Sequence, residues 1–146
     1  MERLHTQTDQ RQQTSERAEW LAETLAAEGV AFSGRNSWET LAEHIEVHQY
    51  FLSQNLGFPV SWEEAMFSWY DNIYAALKRA TNSFILRRAF PNQENGDLML
   101  AVSDHWHYLK QRDDNATIQD AARSFAEHYG SGLARFFSQF IVTETV

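Results

Sequence analysis

The stretch that most limits what this chain can become is Ser61 to Leu77, SWEEAMFSWYDNIYAAL. Ser61 followed by Glu64 is a helix-start signal. The hydroxyl takes a loose amide of the first turn, and the carboxylate reaches back towards the cap. Glu63 and Glu64 also sit where the helix dipole favours negative charge. Trp62, Ala65, Met66, Trp69, Ile73, Ala76 and Leu77 then recur at spacings of three and four, which places them on one broad apolar face. Phe67, Tyr70 and Tyr74 widen the stripe past that face, so the helix needs cover on two sides. Each buried aromatic contributes roughly 1.5–3 kcal/mol. The rest of the chain is therefore expected to wrap this helix.

Length and composition bound the alternatives. A chain of 146 residues, 43% hydrophobic and 14% aromatic, has material for one core. The expected organisation is a single helical domain over 1–146: an N-terminal arm and helix in 1–34, a first hairpin with a short helix in 37–90, and a second hairpin in 97–141. There is no cysteine, which removes disulfides and thiolate metal sites and suits a reducing compartment. No apolar run approaches the ~20 residues of a membrane span. The opening MERLHTQTDQRQQ lacks the apolar centre of a signal peptide, so the expected location is cytoplasmic. A formal net charge of −8 argues against a general grip on nucleic-acid backbone. With two prolines and few alternating β-branched runs, the fold class expected is all-α, a bundle of about five helices.

In chain order, residues 1–13 are polar and read either as a frayed arm or as the solvated start of the first helix. That helix covers about Ser15 to Glu28, with Ala18, Leu21, Leu25 and Ala26 inward and Gly29 at its left-handed end. A second helix starts near Ser37, with Asn36 and Glu39 as a capping pair, and ends at Gly57. Its inner line is Leu41, Ile45, His48 and Leu52, and Phe51 broadens that face. Thr81, Asn82 and Ser83 are poor helix formers and predict a break after the central helix. A short helix then has Phe84, Ile85, Leu86 and Phe90 to bury. A fourth helix spans about Asp97 to Arg112 on Leu98, Val102, His105 and Leu109. A fifth opens at Thr117 with Asp120 and carries Ile118, Ala121, Ala122, Phe125 and Tyr129. Leu133, Phe136, Phe137, Phe140 and Ile141 make a very apolar last segment.

The two hairpins resemble each other. His48 to Leu52 matches His105 to Leu109 at an offset of 57, and Ser61-Trp-Glu-Glu-Ala65 matches Thr117-Ile-Gln-Asp-Ala121 at 56. Ser68-Trp69 meets Ser124-Phe125 at the same 56. A loop shorter by one residue accounts for the change. The pattern predicts two copies of one hairpin, related by rough two-fold pseudo-symmetry, each needing a partner for its apolar face; the plainer reading is chance similarity between two amphipathic hairpins.

Four segments in order, LAEHIEVHQYFL (41–52), VSWEEAMFSWYDNIY (60–74), FPNQENGDL (90–98) and HWHYL (105–109), resemble a bacterial helical domain family, a domain of unknown function. In relatives that region follows a ParB-like (ParB/sulfiredoxin-fold) N-terminal domain, in proteins labelled loosely as nuclease-like or as transcriptional regulators. The resemblance covers about residues 38–128 and implies no activity of its own. This chain departs from it by having a different N-terminal helix in place of the ParB-like domain. It also has a longer passage after Tyr74, and no basic residue in the FPNQE turn.

The chemistry-bearing residues each have a functional and a plainer reading. His44 and His48, four apart, have a spacing that can hold a metal, with Glu43 and Glu46 nearby. No third ligand is indicated, and His48 and His105 sit on inner lines, so packing histidines with hydrogen-bond partners are the favoured reading. Glu64 and Asp71 could form an acid–base pair, but Glu64 is needed as a cap and Asp71 can pair with Arg79 or Arg123. Lys78, Arg79, Arg87 and Arg88 hold four of the twelve basic residues within eleven positions. They are the candidate binding site, for phosphate, an RNA segment or an acidic partner. The plainer reading is a solvated face.

No catalytic constellation or phosphate loop is present, and the sequence calls for no cofactor and no metal. The function expected is a non-enzymatic protein-interaction or regulatory helical module, binding a protein partner or itself. The motive is surplus aromatic surface at Trp20, Trp38, Trp106 and Phe136 to Phe140. The alternatives are a nucleic-acid-associated regulator using the basic cluster, and a His-ligated metal-dependent enzyme.

Overall fold

A computed structural model describes residues 2–130, with side chains from residue 9 onward. The apolar run from Leu133 to Ile141 lies outside the described residues. Those described are all-α: helices α1 (Glu2–Ala26), α2 (Ser37–Leu56), α3 (Trp62–Ser68), α4 (Ala75–Thr81), α5 (Phe84–Ala89), α6 (Asn95–Lys110) and α7 (Ile118–Tyr129). Between α3 and α4 the backbone keeps coiling as a π-helix, Trp69–Tyr74. The chain divides into two compact units, Met1–Asp71 and Asn72–Val146.

In the first unit α1 packs on α2 and α2 on α3. Leu21 and Leu25 from α1 and Ala42 and Ile45 from α2 are sealed from water, as is Ala65 of α3. Ala26, expected inward, is exposed, because one residue past Leu25 the helix has turned off the inner line. Burying each large aliphatic side chain contributes roughly 1.5–3 kcal/mol. The polar opening of the chain proves to be helix, so α1 begins at Glu2. Gly29 and Gly57 both take positive φ, at 94° and 78°, where a Cβ would be strained, and Gly57 closes α2.

In the second unit α4 packs on α6 and α7, and α5 on α7. Ala121, Ala122 and Ala126 are buried along α7, and small side chains there let its backbone approach α6 closely. The break after α4 falls at Asn82, and Ser83 caps α5 by accepting from the Leu86 amide. Of the side chains expected to be buried here, Leu86 is fully inside, but Phe84 is exposed. A six-residue helix has room for one inward stripe, and Leu86 with Ala89 fills it.

Caps follow the sequence with one exception. Thr117 and Asp120 form a full capping box. Ser61 accepts from the Glu64 amide at 3.1 Å and donates its own proton to the Glu64 carboxylate, also at 3.1 Å. Asn36 makes no side-chain cap bond. Its backbone, at φ −106° and ψ 20°, is not in the extended region that aims a cap side chain back at the first turn.

The π-helix was not expected, yet it explains the stripe. Ala65, Trp69, Ile73, Leu77 and Thr81 are all buried, at a strict spacing of four. Four residues of α-helix overshoot a full turn by about 40°, so such a stripe would drift round the helix. A wider π turn rotates less per residue and brings it back.

Candidate functional site

The internal repeat is written into side-chain hydrogen bonds. His48 Nε2 on α2 shares a 3.0 Å bond with Ser68 Oγ on α3, and His105 Nε2 on α6 shares one of 2.7 Å with Ser124 Oγ on α7. The next residue repeats too. Gln49 Nε2 donates to the Val60 carbonyl at 2.8 Å, and Trp106 Nε1 donates to the Ala116 carbonyl at 2.8 Å. Each carbonyl belongs to the residue just before the helix cap, Ser61 or Thr117. In each copy, two adjacent side chains of the first helix thus clamp the start and the middle of the second.

A histidine on a serine hydroxyl is also the core of a nucleophilic pair. Here the serines sit inside helices, where the following amides are held in the helical ladder and cannot face an oxyanion. Both copies keep the pair, as a packing clip requires. The expected hydrogen-bond partners are present, Ser68 for His48 and Ser124 for His105, and both histidines are part-buried. His105 is enclosed by aromatics: Tyr108 stacks at 5.9 Å, Phe125 lies at 6.1 Å, and His128 at 6.4 Å. Burial, reinforced by repulsion from His128, holds its pKa below the usual 6.5. His44 is half-buried on α2 one turn before His48. Among the described residues, no three His, Cys, Asp or Glu side chains gather where a metal ion could be held.

The four residues of the basic cluster are all exposed on the second unit, Lys78 and Arg79 at the end of α4, Arg87 and Arg88 in the last turn of α5. Two rest on aromatic rings: the Lys78 ammonium lies 6.0 Å from the Tyr74 ring and the Arg88 guanidinium 5.2 Å from that of Phe84. Arg79 instead borders a cleft of about 330 Å³ between the α4–α5 corner and α7. Arg123 stands on its other side and pairs with Asp120 at 3.3 Å. The sequence named Arg123 with Arg79 as alternative partners for Asp71 but left it outside the basic cluster; it lies 44 positions beyond Arg79, joins it through the fold and pairs with Asp120.

The aromatic surplus is real but lies elsewhere than expected. Trp38 is half-buried and meets Phe32 edge-on at 4.7 Å, and Trp106 is tied to the Ala116 carbonyl. Only Trp20 of the three described candidates is exposed. The larger exposed set is Val47, Tyr50 and Phe51 on the outer face of α2, Leu56 and Phe58 just beyond, and Phe67 on α3. Positions 47 and 50 fall on the side opposite the inner line Leu41, Ile45 and His48, but Phe51, expected to broaden that inner face, is 52% exposed, because it lies about a quarter turn off the line.

No helix among the described residues is long and apolar enough to cross a membrane. Compared with protein-family models, curated proteins and solved structures, the chain gives no match.

Proposed function

We propose that the chain is a non-enzymatic protein-interaction module with a regulatory role, working in the cytoplasm. The observation that carries this reading is the outer face of α2. Val47, Tyr50 and Phe51 are each roughly half exposed on one side of a helix whose other side is buried. Contiguous exposed apolar surface of this kind marks a contact site. Tyrosine and phenylalanine are also side chains on which binding energy tends to concentrate. The resemblance of residues 38–128 to a region that follows a ParB-like domain supplies the first partner to try. Sedimentation of the chain alone and with a ParB-like protein encoded beside it tests the reading. Binding in either case that is lost in the Tyr50→Lys/Phe51→Lys variant supports it. A chain that stays monomeric and unbound, with no difference in the variant, would count against it.

A second reading is favoured by the exposure of Lys78, Arg79, Arg87 and Arg88 together: a nucleic-acid-associated regulator. Its test is RNA binding at two salt concentrations. Salt-sensitive binding lost on changing Arg87 and Arg88 to alanine supports it, and salt-insensitive or absent binding removes it.

A further inference from the structure

The charge of this chain is divided very unevenly. Residues 1–71 hold four Lys and Arg against twelve Asp and Glu, whereas residues 72–146 hold eight of each, so the whole excess of −8 lies in the first unit. Each unit also presents an apolar feature framed by its charge. On the first, Phe67 is 63% exposed, with the exposed Glu63, Glu64 and Asp71 within about one turn of it on the same helical stretch, and it shares a hollow with Arg17 and Trp20. On the second, the 330 Å³ cleft has Ile85 and Ala122 in its lining, with Arg79 and Arg123 at its sides and Ser83 and Gln119 completing it.

We propose that the chain assembles head to tail, the Phe67 ring of one copy entering the Arg79–Arg123 cleft of a second. The cleft lies within the size range of pockets that hold a bound group, roughly 300–1,000 Å³, and has room for one aromatic ring. The ring meets Ile85 and Ala122, while the carboxylates near it come within reach of two guanidinium groups, which accept carboxylates in a two-pronged geometry. Arg123 also keeps Asp120 as a neighbour at 3.3 Å. The two surfaces are complementary in charge, which favours this register over like-to-like contact of two acidic units.

The contact has two consequences. A single ring with its charged frame buries less than the roughly 1,200–2,000 Å² of a stable interface, so association is weak and depends on concentration. The two faces differ, so the interface is heterologous. A copy that has used its ring still offers its cleft, and growth does not stop at two unless a ring closes.

This inference rests on the interaction-module reading and adds to the α2 face a second contact, between copies of the chain. The experiment is light scattering on the full chain over a concentration series, at about 50 mM and about 500 mM salt, with Phe67→Ser and Arg79→Glu variants. Both positions are exposed, so the fold is preserved. Wild type is expected to rise in mass with concentration at low salt, and high salt should suppress the rise because exposed charges are screened. Each variant alone is expected to lose association at least about tenfold. Mixed one to one, the variants should form a dimer and nothing larger, because each retains the face the other lacks. A wild type that stays monomeric at low salt overturns the proposal, and so does association that both variants leave unchanged. So does a mixture that shows no dimer. If association persists in both variants but disappears in Tyr50→Lys/Phe51→Lys, the interaction-module reading stands and the head-to-tail contact falls.

Discussion

His105 Nε2 and Ser124 Oγ lie 2.7 Å apart, joining α6 to α7 at the point where His48 and Ser68 join α2 to α3 at 3.0 Å. The same bond at the same place in the two hairpins fixes the register of each.

That role is measurable as a coupling energy. A double-mutant cycle over His105→Ala and Ser124→Ala, read by urea unfolding, should give about 0.5–1.5 kcal/mol of interaction, the usual net worth of such a bond. The cycle is needed because alanine in mid-helix regains several tenths of a kcal/mol of helix propensity over serine, which masks the loss in a single variant. The same cycle over His48 and Ser68 should agree in sign and size. A coupling near zero in both would reduce the shared geometry to coincidence.

The residues that were legible in the sequence are those whose signal is local. Thr117 with Asp120, Gly57, the Leu41-Ile45-His48 line and the break at Asn82 each depend on neighbours within a turn or two, and each is where the pattern placed it. Asn36 failed as a cap because side-chain type is a weaker constraint than backbone angle. Phe84 was assigned to the core by its hydrophobicity, but a helix of six residues had no second inward position for it. Arg123 was left outside the basic cluster because only tertiary packing brings it and Arg79 to one cleft. The π turn left a trace in the four-residue spacing from Ala65 to Thr81, which a search for spacings of three and four absorbs without remark.

Acid should weaken the second unit through His105. Its folded-state pKa lies below 6.5, with burial as the main cause and His128 as the second. A base whose pKa is depressed by folding binds protons more readily when unfolded. Its contribution to stability is therefore complete above the unfolded value near 6.5 and is lost as pH falls from there through the lowered folded value. His128→Asn should move the NMR titration of His105 upward, towards 6.5. A titration that starts at or above 6.5 in the wild-type chain contradicts the enclosure described here.

Alkali should act at a different place. The Tyr70 hydroxyl donates to both Glu28 carboxylate oxygens, at 3.0 and 2.9 Å, which ties the π turn to the end of α1. Giving up that proton next to a carboxylate is disfavoured, so the hydrogen bond to Glu28 raises the phenol above its ordinary 10.0. The contribution of this contact is present below pH 10 and disappears as pH rises through the raised value. Ultraviolet titration of the phenolate should show one tyrosine ionising late in the wild type. It should return towards 10.0 in Glu28→Gln. An unchanged titration in that variant would mean the contact does not form in solution.

Two glycines should respond to alanine for opposite reasons. At Gly57, φ is 78° and nothing lies within 4 Å of where a Cβ would stand, so Gly57→Ala carries only the cost of a left-handed backbone, about 1 kcal/mol. Asparagine, which tolerates that region better, should recover part of it. At Gly130 the backbone is ordinary, at φ −81°, but an added Cβ would stand 2.5 Å from the Ala126 carbonyl oxygen and 2.7 Å from the Ala89 Cβ. Gly130→Ala should therefore cost about 1–3 kcal/mol as overpacking, because the end of α7 must move off α5. Ala89→Gly should return some of that loss in the double variant but not all, since the clash with the Ala126 carbonyl remains. Denaturant unfolding of the four variants separates the two causes. A neutral Gly130→Ala would show that α7 does not end against Ala89 as described.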